Sequence, residues 1–283
     1  MKTVHIVPGT SDISNGMVVV AKLLAGEQGN AGVVDLKRGS HRIHQEVKEV
    51  WVHGAWLPRE WLVCWWALRA GKRLVRMTHG SLSPIYLKHQ SPLKKRLVGP
   101  IERFFLRRAD VVVATCQTEA EWIRAYEPKV KRIEIMDIKQ FFDLSHKEHK
   151  EHKKGEPLHL LYLGRRHPLK GVEYLEAAVR QIQESTCSLQ LKVVSDAFGE
   201  EKEKVWDWCD VLVLPSLSEN FGLVVAEALE RGKRVITTDG APAWGDGNDY
   251  GGRLIYIKGY RDGSNEERVR LLKEALEGLV GSR

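Results

Sequence analysis

The chain has 283 residues, 44 Lys+Arg against 37 Asp+Glu, and a 43% hydrophobic content. These proportions exclude collagen-like, low-complexity and wholly disordered chains, and the length is that of two domains, each able to bury its own core. The net charge of +7 is uneven: residues 1–145 hold 23 basic and 14 acidic side chains, residues 146–283 hold 21 and 23. No run of about 18 apolar residues occurs, and the apolar stretch in the N-terminal MKTVHIVPG is too short for a signal peptide, so a cytoplasmic protein is expected. The four cysteines (Cys64, Cys116, Cys187, Cys209) are far apart with no C-x-x-C pair, which indicates neither a disulfide framework nor a zinc site.

In chain order, short β-branched runs alternate with amphipathic stretches, the pattern of βα units and parallel sheets. Strands are predicted at Thr3–Val7, Gly32–Asp35, Val50–Val52, Leu74–Met77, Val111–Ala114 and Ile133–Ile135, with helices at Met17–Ala25, Glu60–Ala70, Leu93–Arg108 and Glu119–Ala125. This first half, residues 1–145, reads as one doubly wound sheet. SHKEHKEHKKGE (Ser145–Glu156) is polar throughout and reads as a linker; its His146, His149 and His152, spaced by Lys and Glu, are a solvated charged run rather than a metal site. Alternation then restarts in residues 157–283. Strands are predicted at Leu158–Leu163, Leu189–Val194, Val211–Leu214, Val235–Thr237 and Leu254–Ile257, with helices at Gly171–Glu184, Gly222–Arg231 and Asn265–Leu279. In the first of these helices Val172, Leu175, Val179 and Ile182 share one face.

Two strand-to-helix junctions carry chemistry. PSLSENFGLVVAEALERG (Pro215–Gly232) places Glu219 before a helix and Glu227 within it, around backbone N–H groups at Asn220, Phe221 and Gly222 that suit an anion, while the carboxylates suit hydroxyls. Gly222 lets the backbone approach a ligand closely. LYLGRRHPLKG (Leu161–Gly171) puts Arg165, Arg166 and Lys170 at a strand's carboxyl end, where a guanidinium and an ammonium can hold two phosphates. A solvated basic turn, or acids that merely complement a helix dipole, is the plainer reading of either junction alone.

Together, GR-x4-KG at Gly164–Gly171 and S-x-x-E-x-FG-x-x-x-x-E-A at Ser216–Ala228 resemble the donor domain of glycosyltransferase family 4, in its compact bacterial type serving cell-envelope polysaccharide or lipopolysaccharide. ADVVVATCQTEAEWI (Ala109–Ile123) and WCDVLVLPS (Trp208–Ser216) are similar to the family's sheet-closing strands. The resemblance implies an α/β protein of the GT-B fold, with two Rossmann-like, doubly wound parallel-sheet domains facing a cleft. It implies retaining transfer from a UDP- or GDP-linked sugar with neither metal nor other cofactor. Arg165 and Lys170 become the diphosphate clamp, Glu227 the ribose ligand and Glu219 a contact to sugar hydroxyls, with Asn220, Phe221 and Gly222 lending N–H groups. THGSLSP (Thr78–Pro84) is similar to the segment in which a histidine faces the donor sugar, which makes His79 the candidate. Asn15 and Gly16 fall where the family has a glycine-rich turn bordering the phosphates.

The chain departs from that pattern in two places. Only sixteen residues (Ser195–Asp210) separate two strands between which the family has a further strand and helix, and EIMDIKQFF (Glu134–Phe142) replaces the usual N-G-(I/V)-D turn. The alternatives are a nucleotide-sugar epimerase of the same fold and a non-catalytic binder of nucleic acid or another anionic polymer. Against the latter, the basic stretch matches no nucleic-acid reader motif, and no nucleic-acid partner is expected. That stretch, Leu87–Arg108, carries seven cations against Glu102. It reads as two short helices broken at Gly99-Pro100, with Leu93, Leu97, Ile101, Phe104 and Phe105 packed inward and the cations facing an anionic membrane, which would make the protein peripheral on the inner face.

Overall fold

The computed structural model describes residues 2–8, 16–36, 45–145, 156–184, 189–195 and 197–281. The chain divides into two compact units, Met1–Phe141 and Phe142–Arg283.

The first unit runs β1 (Thr3–Val7), α1 (Gly16–Glu27), β2 (Ala31–Asp35), β3 (Glu49–His53), α2 (Pro58–Arg69), β4 (Arg73–Met77), α3 (Pro84–His89), α4 (Pro92–Arg108), β5 (Val111–Ala114), α5 (Gln117–Tyr126) and β6 (Ile133–Ile135). Its strands are parallel, in the order β2-β1-β3-β4-β5-β6. The direction of winding therefore reverses between β1 and β3, the position at which an open parallel sheet leaves a crevice. One face of the sheet (Val4, Ile6, Val50, Val52, Leu74, Val112) packs on Trp61, Cys64 and Ala67 of α2, Phe105 and Leu106 of α4, and Ile123 of α5. Val7 and Val33 of the other face pack on Val18 and Ala21 of α1.

Helix α4 corrects the sequence reading twice. It is one helix with Pro100 inside it, although proline removes a helical hydrogen bond and crowds the carbonyl four residues back. What spans the break is Glu102, fully buried just beyond the proline, which accepts from Trp56 N–H (3.1 Å) and Trp61 Nε1–H (2.7 Å) and pairs with buried Arg76 at 2.7 Å. The same anchor fixes the helix's rotation. With Glu102, Phe105 and Leu106 turned inward, helical spacing throws Leu93, Leu97, Ile101 and Phe104 outward, where they are 65, 62, 40 and 45% exposed. Of the five apolar residues expected inside, only Phe105 is buried.

The second unit runs β7 (Leu158–Leu163), α6 (Val172–Gln183), β8 (Leu189–Val194), α7 (Gly199–Trp208), β9 (Val211–Leu214), α8 (Leu223–Glu230), β10 (Arg234–Thr238), β11 (Leu254–Ile257) and α9 (Asn265–Gly281). Its parallel order, β11-β10-β9-β7-β8, reverses between β7 and β9. Val172, Leu175, Val179 and Ile182 of α6 are buried, as their spacing requires. Residues just past the unit boundary pack here: Phe142 stacks on Phe221 at 6.3 Å, and Arg253 Nη2–H donates to Leu144 C=O at 3.2 Å. Of the predicted linker, residues 146–155, with the three histidines, lie outside the described residues, as does Cys187.

Candidate functional site

In the second unit the two motif loops leave the sheet side by side at the β7/β9 reversal, where an open parallel sheet leaves a crevice. The β7 loop reaches α6 through a tight 3-10 turn at Pro168–Lys170 and through Gly171, which adopts φ 63°. The β9 loop, Pro215–Gly222, is stitched to it. Leu217 N–H and Ser218 N–H both donate to Leu169 C=O, at 2.8 and 3.4 Å. A Cβ on Gly171 would lie 2.2 Å from Pro215 O, so only glycine permits this approach. From the other side, Thr238 Oγ1–H donates to Ser216 C=O at 2.5 Å and Glu219 N–H to Gly240 C=O at 2.8 Å.

The stitching brings Lys170 and Glu219 into a half-buried ion pair, and Ser216 Oγ–H donates to the same carboxylate oxygen at 3.3 Å. The cation and the acid that the resemblance assigns to different parts of one ligand thus pair with each other. Arg165 is exposed, with its backbone carbonyl fixed by Tyr162 O–H at 2.9 Å, whereas Arg166 is engaged by Glu176. Glu227, on α8, pairs at 2.7 Å with Lys202 of α7, so the short segment between β8 and β9 supplies a helix and a cation for this acid. Sequence reading missed α7 and Lys202.

Gly222, at φ 73°, caps α8, leaving the first N–H groups of that helix without helical acceptors. Asn220 is half-buried beside it. Phe221 is a core residue: its ring is 2% exposed against Phe142 and Trp244, and its carbonyl accepts from Trp244 Nε1–H at 2.5 Å. Gly16 is the first residue of α1, and Asn15 lies outside the described residues.

In the first unit, His79 follows β4 in a left-handed turn, φ 50°, continued by Gly80 at φ 70°. Such a conformation is costly for a residue with a Cβ and needs support. Glu119 of α5 gives it: the buried carboxylate accepts from Gly80 N–H (2.7 Å), Thr78 Oγ1–H (3.2 Å), Thr115 N–H (2.8 Å) and Thr115 Oγ1–H (2.8 Å). Its sequence signal was an acid three residues past the helix cap at Cys116. His79 Nε2 lies 2.8 Å from His53 Nδ1, His53 Nε2 lies 2.9 Å from His5 Nδ1, and His5 Nε2 lies 3.0 Å from Gln28 Oε1. Burial pushes His79 down to about 3 and lowers His5; His53 is held well below the usual histidine range by burial and by its two histidine neighbours.

A cavity of about 420 Å³ runs along α4, lined by Trp56, Leu87, Lys95, Arg96, Arg103 and Tyr126. Trp56 Nε1–H donates to Ser81 C=O at 3.1 Å, two residues beyond His79.

Two Rossmann-like units, each with chemistry-bearing loops at the carboxyl edge of a parallel sheet, define the GT-B class. Residues 17–136 match the family model "Glycosyl transferase 4-like domain" and residues 197–246 match "Glycosyl transferases group 1", which between them cover more than half of the chain. The chain belongs to the family 4 type of glycosyltransferase. His79, Glu119, Glu219 and Glu227 fall within the matched stretches, and Arg165 and Lys170 lie between them.

Among solved structures the chain is similar to sucrose-phosphate synthase (tll1590) from Thermosynechococcus elongatus, at 15% identity and TM-score 0.64 over 98% of this chain and 90% of that one. It is similar to the apo form of the lipopolysaccharide outer core galactosyltransferase WaaB, at 17% identity and TM-score 0.58 over 99% and 91%. It is also similar to a putative UDP-N-acetylglucosamine 2-epimerase from Listeria monocytogenes, at 15% identity and TM-score 0.55 over 99% and 88%. At these identities the likeness is one of fold. A comparison with curated protein sequences gives no match.

Proposed function

We propose that this glycosyltransferase moves a hexose, with retention of configuration and without a metal, from a UDP- or GDP-linked donor to a hydroxyl of a cell-envelope glycan or glycolipid. The observation that carries the donor assignment is the juxtaposition of Lys170 and Glu219 at the β7/β9 reversal, beside the start of α8. An arriving diphosphate takes Lys170 together with Arg165, which offsets the charge growing on the leaving group and releases Glu219 to sugar hydroxyls. Glu227 serves the ribose and Gly222 the close backbone approach, while His79 contacts the sugar as a neutral ring. No side chain is assigned as nucleophile.

The acceptor reading draws on α4. Its outward apolar row is flanked by Arg96, Arg103 and Arg107, the composition of a helix lying in the surface of an anionic bilayer, and the adjoining cavity combines cations with aromatic rings that suit a phosphorylated, sugar-bearing headgroup. The name of WaaB, which places that protein on lipopolysaccharide, agrees with such an acceptor. Among the described residues no helix is long and apolar enough to cross a membrane.

The test is thermal unfolding against UDP-, GDP- and ADP-hexoses, where a ligand at a hundred times its Kd stabilises by about 2.7 kcal/mol. Glu219→Ala is expected to lose turnover while keeping nucleotide affinity, and Glu227→Ala to weaken the nucleotide itself. Full activity in both variants would refute the donor assignment, and an epimerised free sugar nucleotide as the product would replace transfer by epimerisation.

A further inference from the structure

In the first unit His79 ends a row of three histidines whose other two members, His5 and His53, have no place in the motifs. His5 and His53 project from β1 and β3, neighbouring strands in which His5 pairs in register with Trp51, two residues before His53. Both are fully buried, and their rings follow one another to His79 with centroid separations of 5.2 and 5.1 Å. The nitrogens meet in pairs, head to tail, instead of converging on one point as metal ligands would.

We propose that His53, backed by His5 and Gln28, is a positioning residue that fixes the orientation and tautomer of His79, so that His79 Nε2 carries the ring proton and Nδ1 is the acceptor for a donor-sugar hydroxyl. The inference rests on the reading of His79 as the sugar contact.

The direction of the row follows from its end. A carbonyl oxygen can only accept, so His5 Nε2–H donates to Gln28 Oε1. His5 Nδ1 is then unprotonated and accepts from His53 Nε2–H; His53 Nδ1 in turn accepts from His79 Nε2–H. Three neutral rings hold three protons, and the three hydrogen bonds use all of them. The opposite tautomer of His79 would set two lone pairs against each other across 2.8 Å in a part-buried contact, at the cost of an unmade hydrogen bond. The two supports of His79 are separate: Glu119 holds the backbone of its turn, and His53 holds its ring.

Long-range 15N–1H correlation on 15N-histidine protein reads the tautomer directly, and His53→Phe and His53→Asn separate acceptor from bulk. All three rings are expected as Nε2–H in the parent protein. His53→Asn, whose Oδ1 can still accept, is expected to keep His79 in that form, and His53→Phe to convert it in part or whole to Nδ1–H. Titration with UDP-glucose and GDP-mannose, each against its bare nucleoside diphosphate, is expected to show the sugar's share of affinity falling about tenfold in His53→Phe, the effect of one lost hydrogen bond, with nucleotide affinity unchanged. An Nδ1–H His79 in the parent protein, or an unaltered tautomer and sugar preference in His53→Phe, overturns the proposal. An Nε2–H His79 whose replacement by Ala leaves the sugar's share of affinity intact overturns instead the reading of His79 as a sugar contact.

Discussion

Replacing Gly171 by Ala attacks the joint that brings Lys170 to Glu219. The residue sits at φ 63°, which costs an L-residue roughly 1–2 kcal/mol. Its new Cβ would lie 2.2 Å from Pro215 O, well inside ordinary contact, so the two loops must part by about 1 Å. Parting them strains the bonds from Leu217 and Ser218 to Leu169 C=O, each contributing about 1 kcal/mol. The total, about 3–4 kcal/mol, corresponds to a fall in melting temperature of roughly 6 °C for a protein of this size. It should come with a loss of donor turnover of up to about 100-fold, because catalytic geometry tolerates little displacement. Thermal unfolding and steady-state kinetics measure the two effects. Gly171→Asn separates the causes: asparagine accepts the left-handed conformation but still carries the Cβ, so it should be nearly as damaging. An alanine variant within about 0.5 kcal/mol of the parent and equal in turnover would refute the reasoning.

Glu102→Ala strands buried Arg76, the Trp56 backbone N–H and the Trp61 indole N–H, and is expected to cost about 3–5 kcal/mol in denaturant unfolding; the double variant Arg76→Met/Glu102→Leu should recover most of it, and an equal loss in the double variant contradicts the ion-pair account. Leu97→Ser/Phe104→Ser should leave stability unchanged, since both side chains are exposed, yet lower co-sedimentation with phosphatidylglycerol vesicles at least about tenfold; equal binding before and after would remove α4 from the membrane. Chelation with EDTA should leave the transfer rate unaltered, and activity lost to EDTA but restored by Mg²⁺ or Mn²⁺ would replace the Arg165–Lys170 clamp with a metal.

Periodicity made the alternating strands and helices legible nearly to their ends: β1, β5, β6, β7, β8, β9 and β11 run as their apolar runs predicted or within a residue of it. Helix α7 was not legible because GEEKEKVWDW buries only Val205 and Trp206 and so shows no apolar stripe. Helix α4 was visible as a segment but was turned the wrong way, because amphipathic spacing leaves open which face meets the core, and here one buried carboxylate settles it. The two motif loops of the second unit were visible because their residues are local in sequence. His5, His53 and Glu119 were not, since what joins them to His79 is strand register across β1, β3 and β4 and the packing of α5 on β5, which no spacing in the chain expresses.

The Lys170–Glu219 pair gives the proposed donor site an anionic group of its own. Glu219 stands where an anion would otherwise be, so donor binding by the proposed clamp exchanges one negative partner for another, and the long-range attraction felt by an approaching diphosphate comes from Arg165 rather than from two cations. The affinity for donor then reports a difference between two ion pairs. Its dependence on ionic strength should be that of about one exposed charge, shallower than the basic residues of the loop would indicate when simply counted.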